Sequence, residues 1–315
     1  MRILITGIAG FIGSNLALRL INGNQKIENH YDVIGIDNLS YGLKENIPEE
    51  VTFYQSDIRS KEIYRFFDGV DIVFHLAAKN CINDCQLDPV DTADINITGT
   101  VNVFEAARKA GVGKVVYAES SALYEGSNQF PTPESELMPE SFYSMSKLSS
   151  MYFAKAYQSF YNFKLTALRY FCVYGPVQDY RRTIPPVMSA FIIKLLKNES
   201  PIIYGTGKKR RDFIYIDDVN DFHMKCVNDH RTNNKTFNLG SGKYFSVIKI
   251  YELISELLGK RIPPIFKPDL PGEAEITLAD ITEAKKLGWE PKTDIKTGLI
   301  KAIEYIKNEM AAGRI

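Results

Sequence analysis

The chain has 315 residues, and its 38 Lys+Arg balance its 38 Asp+Glu to a formal net charge of zero. That length holds a large core plus a smaller second body, while the charge balance leaves no global basic field for nucleic acid. Its four cysteines, Cys81, Cys85, Cys172 and Cys226, lack the neighbours that complete a tetrahedral metal site, so no metal and reduced thiols in a cytoplasmic protein are expected. Met1-Arg2 runs straight into the apolar Ile3-Leu4-Ile5, which reads as a strand and not a signal peptide. No apolar run of membrane-spanning length follows, so no membrane span is expected.

The first half alternates strand and helix signals. Strands are expected at 2–6, 31–37, 51–55, 71–77, 114–118 and 165–171, with helices at 12–21, about 92–110 and 143–160. Continuous apolar strands separated by amphipathic helices predict a parallel sheet covered on both faces. The expected fold is therefore α/β, a doubly wound, Rossmann-like parallel sheet with a smaller C-terminal substrate lobe. Past Pro176 and Pro185-Pro186 the pattern loosens. Helices are expected at 187–197, 247–258 and 295–310, and strands at 213–216 and 236–239. Pro263, Pro264, Pro268 and Pro271 mark an irregular stretch. The expected division assigns 1–171 to a cofactor domain, with 213–240 returning to it, and 172–212 and 241–315 to the lobe.

The first strand runs into Gly7-Ile8-Ala9-Gly10-Phe11-Ile12-Gly13. A strand that turns sharply into a helix presents helix N–H groups to a pyrophosphate, and side chains at the glycine positions would block that approach. The second strand ends on Asp37, followed by Asn38. A carboxylate there accepts hydrogen bonds from both ribose hydroxyls and repels a 2′-phosphate, which favours NAD over NADP. Asp37 could instead cap a turn. Asp57, with Ile58 beside it, could approach adenine or serve as a helix N-cap. Leu76, Ala77 and Ala78 end the fourth strand and let backbone pass close to the cofactor. His75 reads as a packed strand-end histidine. Asn96, on the next helix, is expected to bond backbone near the site.

Tyr143 and Lys147 stand four apart on one helix, hence on one face. An ammonium beside a phenol favours the phenolate, a base for an alcohol proton, and the lysine can also hold the nicotinamide ribose. Ser120 and Ser121 follow the fifth strand, where a hydroxyl can share that proton. Ser120 is the first choice and Ser121 the second.

Taken together, these residues resemble the extended short-chain dehydrogenase/reductase family. Within it they are most similar to the nucleotide-sugar 4-epimerases of the UDP-galactose and UDP-N-acetylglucosamine type. The resemblance spans essentially the whole chain. It runs through Ile5-Thr6-Gly7, Asp37-Asn38-Leu39-Ser40, His75-Leu76-Ala77-Ala78 and Asn96-Ile97-Thr98-Gly99-Thr100. It continues through Leu168-Arg169-Tyr170-Phe171-Cys172, Arg211-Asp212-Phe213, Phe237-Asn238-Leu239-Gly240 and Leu287-Gly288-Trp289-Glu290-Pro291. It implies an NAD-dependent isomerase that passes through a 4-keto sugar. Cofactor contacts are implied at Gly7, Gly10, Phe11, Ile12, Gly13, Asp37, Asn38, Asp57, Ile58, Leu76, Ala77, Ala78, Asn96, Tyr143, Lys147 and Tyr170. Substrate contacts are implied at Ser120, Tyr143, Cys172, Arg211 and Thr277, with Arg211 on the diphosphate.

The resemblance also implies a homodimer formed by the helices at about 92–110 and 143–160. Val101, Phe104 and Ala107 could serve that interface or meet the sheet. Thr277 occupies a gatekeeper position where a bulky tyrosine limits relatives to plain hexoses, so it leans toward UDP-GlcNAc/UDP-GalNAc interconversion. The 4,6-dehydratases of the family carry Asp-Glu where this chain has Ser121-Ala122, which argues against dehydration. A related reductase or dehydratase is the alternative. A non-catalytic NAD-binding sensor or scaffold is a further one, and the presence of Tyr143 and Lys147 argues against it. Four positions depart from the family pattern. Cys172 and Leu270 replace polar substrate contacts, Glu119 replaces a small serine, and Met151 replaces an acidic residue on the Lys147 helix.

Overall fold

The computed structural model describes residues 1–24, 30–182, 184–270 and 272–315; Pro271 lies outside them. The strands are β1 (Arg2–Thr6), β2 (Asp32–Asp37), β3 (Thr52–Gln55), β4 (Ile72–His75), β5 (Lys114–Ser120) and β6 (Leu165–Tyr170). They continue as β7 (Cys172–Tyr174), β8 (Ile202–Tyr204), β9 (Arg210–Tyr215), β10 (Thr236–Leu239), β11 (Tyr244–Ser246) and β12 (Ile265–Lys267). The helices are α1 (Phe11–Asn24), α2 (Ile82–Leu87), α3 (Pro89–Ala93), α4 (Thr100–Lys109) and α5 (Phe142–Tyr161). After them come α6 (Val187–Leu196), α7 (Ile216–Asn228), α8 (Val247–Leu258), α9 (Thr282–Lys285) and α10 (Ile295–Ala311).

Seven strands form the main sheet in the order β10-β6-β5-β4-β1-β2-β3. The pairings β1–β2, β1–β4, β2–β3, β4–β5 and β5–β6 are all parallel. The chain winds outward from β1 in one direction and, after crossing back to β4, in the other. The order therefore reverses between β1 and β4, where doubly wound sheets open a crevice at their strand ends. Leu4, Val73 and Val115 are fully buried beneath α4, whose Val103, Phe104 and Ala107 pack in the same cluster. Phe104 and Ala107 thus meet the sheet, and Val101 packs against the same core.

The expected helix at about 92–110 is three pieces. Asp88 caps α3, a π-helical turn spans Asp94–Gly99, and α4 follows. A π turn inserts a residue into the helical ladder, which a hydrophobic period cannot reveal.

The chain divides into two compact units. The first holds Met1–Gly126, Leu137–Tyr170 and Asn220–Phe237, and the second holds Ser127–Glu136, Phe171–Val219 and Asn238–Ile315. The segment 213–240 is split accordingly. Arg210–Tyr215 lies in a three-stranded sheet, β11-β9-β7, while Thr236–Leu239 is an edge strand of the main sheet. Ile216, expected to end a strand, begins α7. In the second unit, α6 packs on α8 and α10, and Phe191, Ile192, Ile250, Ile254, Leu299 and Ile303 of these helices are buried.

Candidate active site

The glycine turn closes on itself before α1 begins. Gly10 N–H donates to Gly7 O at 3.1 Å, and Ser14 N–H to Gly10 O at 3.0 Å. Gly7 adopts φ 75°, and a Cβ on it would stand 2.7 Å from the Ala77 nitrogen at the end of β4. A Cβ on Gly13 would fall on the Gly7 carbonyl oxygen. Space for phosphate is therefore only part of why these positions are glycine. The turn must also lie flat on β4 and on the first turn of α1. Phe11 and Ile12 open that helix, so their N–H groups are among those with no intrahelical partner.

Asp37 ends β2 and does two things at once. Its Oδ2 accepts from Ala9 N–H at 3.0 Å and its Oδ1 from Leu39 N–H at 2.8 Å. It therefore caps its own turn, and each oxygen keeps a lone pair for a ribose hydroxyl. Burial raises its pKa, opposed by those two backbone donors. Asp57 is held at about 2, foremost by Arg59, and accepts from Asn38 Nδ2 at 2.9 Å. It is not a helix cap: Ser60 caps the following turn. The Ile58 side chain sits in the core, and its carbonyl accepts from Asn102 at 2.7 Å.

His75 is buried between Thr6 and Thr100, at 2.7 and 2.9 Å, and burial pushes it down to about 3. It is a structural hinge of hydroxyls. Leu76, Ala77 and Ala78 beyond it are half-buried. The fully buried Asn96 lies in the π turn. Its Oδ1 accepts from Lys79 N–H at 2.8 Å, while its Nδ2 donates to Lys79 O at 2.9 Å and Ser146 Oγ at 3.0 Å. It thereby ties the chain after β4 to the helix that carries Tyr143. Tyr170 gives its hydroxyl to a 2.7 Å contact with His223.

The helix α5 begins at a capping box made by Ser141 and Ser144. Glu125 fastens it, accepting from Ser141 N–H at 2.8 Å and Ser144 Oγ at 2.8 Å. Tyr143 is buried on the first turn. Lys147, one turn on, places Nζ 6.0 Å from the Tyr143 ring centroid and 3.0 Å from Ala118 O. Burial pushes Lys147 down to about 8, with Glu119 opposing. Ser120 is half-buried at the end of β5, and its Oγ accepts from Ala122 N–H at 3.2 Å, which leaves its own proton to donate. Ser121 starts the following turn, Ser121–Tyr124.

The second unit carries its own polar cluster. Cys172 starts β7, and burial pushes its thiol up to about 11, so it is a neutral donor. Arg211 on β9 reaches Glu273 Oε2 at 3.3 Å. The Thr277 hydroxyl accepts from Asp212 N–H at 3.2 Å. Asp212, invisible as an organiser from sequence, is fully buried and accepts from Ser241, Gly242 and Ala279 N–H at 2.6, 3.0 and 3.0 Å. Lys209 was also missed: it is buried on Asp269 at 2.7 Å, two residues before Arg211 on the same chain segment. Leu270 is half-buried, and its N–H is held by Asp269. Arg181 and Arg182 both pair with Asp179. Among the described residues, no group of three or more His, Cys, Asp or Glu could hold a metal ion. None of the described helices is long and apolar enough to cross a membrane.

The donor set in the first unit fits NAD. A bare glycine turn meets a helix N-terminus, a carboxylate ends the second strand, and a Tyr–Lys pair stands on α5. Comparison with known proteins agrees. Residues 3–240 match the model of the NAD dependent epimerase/dehydratase family. A putative UDP-glucose 4-epimerase of Methanocaldococcus jannaschii is 38% identical over 97% of this chain and 98% of its own. The crystal structure of UDP-glucose 4-epimerase from Thermotoga maritima, with UDP-glucose, superposes with a TM-score of 0.93 at 35% identity. It covers 98% of this chain and 100% of that one. A UDP-N-acetylglucosamine 4-epimerase from Methanobrevibacter ruminantium, in complex with UDP-N-acetylmuramic acid, gives 0.91 at 31%, covering 98% and 99%.

Proposed function

The chain belongs to the NAD dependent epimerase/dehydratase family, with NAD as its cofactor, and from that premise we propose that it is a UDP-sugar 4-epimerase. The observation that carries this reading is the Tyr143–Lys147 pair on α5, with Ser120 at the end of β5 and no acid–base pair after it. Residues of the glycine turn, Asp37, Asn38 and Lys147 would hold NAD, which when bound supplies a reversible hydride acceptor for the sugar C4. Tyr143 takes the C4 hydroxyl proton, directly or through Ser120, and later returns it. Lys147 supports the phenolate and holds the ribose. Its buried position makes the ammonium's charge count for more than it would in water. Arg211 and the Cys172 thiol contact the diphosphate.

The preferred substrates are UDP-GlcNAc and UDP-GalNAc, with UDP-Glc and UDP-Gal also accepted, because Thr277 is small and its hydroxyl is already occupied by backbone. Dehydration would need an acid and a base beyond Ser120, and Ser121 and Ala122 supply neither. The active form is a cytoplasmic homodimer. The exposed Met145, Tyr152, Phe153 and Phe160 of α5 provide its interface, rather than the core-facing Val101, Phe104 and Ala107.

The test is an NMR time course on UDP-GlcNAc and UDP-Glc in separate reactions without added reductant. C4 epimers in both, faster with UDP-GlcNAc, support the reading. A 4-keto-6-deoxy product overturns it in favour of a dehydratase. Equal or reversed rates overturn the sugar preference alone.

A further inference from the structure

Arg169 points from β6 into the interior with 2% of its side chain exposed. A buried guanidinium is tolerated only when its charge and its hydrogens are matched. Glu119, its register partner on β5, does so: Oε2 accepts from Arg169 Nε at 2.7 Å, and Oε1 accepts from the Tyr117 hydroxyl at 2.8 Å. Arg169 Nη1 donates to the Tyr124 hydroxyl at 2.7 Å, and Nη2 stands 3.6 Å from Met151 Sδ on α5. One guanidinium thus touches β5, the turn after Ser120, and the helix of Tyr143 and Lys147. Two of the four departures from the family pattern, Glu119 and Met151, are neighbours of that same group. A carboxylate at 151 would approach Arg169 from the helix, where Glu119 approaches it from the strand.

We propose that Glu119 is a positioning residue for the redox pair. Its carboxylate supplies the countercharge to Arg169 that position 151 could otherwise supply, and it stands next to Ala118, whose carbonyl accepts from Lys147 Nζ at 3.0 Å, on the strand that ends in Ser120. The groups around Lys147 are Tyr143 on its own helix, Glu119 and the Ala118 carbonyl from β5, His75 from β4 and Cys85 from α2. His75 is held neutral by burial, and burial pushes the Cys85 thiol up, so neither brings a charge. Glu119 opposes the effect of burial and favours the protonated Lys147. Its kinetic consequence rests on the epimerase reading; the charge exchange does not.

The experiment compares NAD-loaded wild type, Glu119→Gln, Met151→Glu and the double variant, by melting temperature and by kcat and KM across pH. Each single change is expected to lower Tm, one by taking the carboxylate away from the buried Arg169 and the other by crowding two carboxylates around it. The double variant is expected to recover most of that loss. Glu119→Gln is expected to move the alkaline limb of kcat down by about one pH unit, with KM held within roughly twofold. The double variant moves the limb back. Tm losses that simply add would overturn the exchange, and an unmoved alkaline limb in Glu119→Gln would reduce the residue to a structural ion pair. If Glu119→Gln does not fold, a soluble, NAD-retaining double variant still supports the exchange and an insoluble one overturns it. If wild type turns over no UDP-sugar, the proposed function falls, and the Tm cycle decides the exchange alone.

Discussion

Replacing Gly13 by alanine should damage the cofactor turn far more than the same change at Gly10. An added Cβ at Gly13 lands on the Gly7 carbonyl oxygen and stands 2.9 Å from the Gly7 carbonyl carbon and 3.0 Å from Ile8 Cα. All three are backbone atoms, so no rotamer change can clear them. At Gly10 the nearest atom is the same oxygen at 3.3 Å, a contact that a few tenths of an ångström relieves. To admit alanine at 13, α1 must move away from Gly7 by about the deficit to ordinary van der Waals contact, ~1 Å or more. That strains the Gly10 N–H to Gly7 O bond of 3.1 Å and re-aims the first N–H groups of α1. Overpacking of this kind costs about 1–3 kcal/mol. The same displacement should weaken NAD binding by about ten- to a hundredfold, or ~1.4–2.8 kcal/mol. Calorimetric titration of stripped protein with NAD, beside urea unfolding of the same samples, reads both. Wild-type NAD affinity in Gly13→Ala, or a larger loss in Gly10→Ala, would refute the packing argument.

Other consequences follow from the same geometry. Lys147 must be an ammonium to support the phenolate, and burial pushes it down to about 8, so kcat should hold below that pH and fall as pH rises through it. Lys147→Met should remove this limb and lower kcat by about a hundredfold or more; an unchanged pH–rate profile would show that Lys147 does not titrate in catalysis. Thr277→Tyr should abolish turnover of the N-acetylated sugar while sparing UDP-Glc, read by competing the two substrates; equal losses on both would remove Thr277 from specificity. Asp212→Ala removes the acceptor of three backbone N–H groups, that of buried Ala279 and those of the more open Ser241 and Gly242, which should cost about 2 kcal/mol in urea unfolding. An unchanged unfolding midpoint would contradict that role.

The parallel sheet was legible because its strands, the exposed edge strand β3 aside, are mostly apolar on both faces, and each of the strands expected in the first half appears within a residue or two of its observed bounds. The expected fourth strand, 71–77, is shorter in the structure because, after the Leu76 N–H donates to Thr6 O at 3.1 Å, Ala77 and Ala78 leave the ladder where the chain turns toward Asn96. Three-residue strands such as β7, β8, β11 and β12 contain too little sequence to show a period of two, so the second half was read only through its long helices and the strands at 213–216 and 236–239. Tyr143, Lys147 and the glycines were legible because their spacing is local. Glu125, Asp212 and the Glu119–Arg169 pair were not, since each acts across 16 to 67 residues of chain. Glu119 in particular could be named as unusual from its position, but its partner emerges only when β5 and β6 lie side by side.

In the proposed reaction one hydride leaves C4 and returns to the same carbon without escaping. UDP-GlcNAc carrying deuterium at C4, incubated with the purified protein in ordinary water and followed by NMR and mass spectrometry, tests it directly. The expected product is UDP-GalNAc that retains the deuterium at C4, with no net NADH formed. Loss of the label, accumulation of a 4-keto or 6-deoxy sugar, or stoichiometric release of NADH would contradict it.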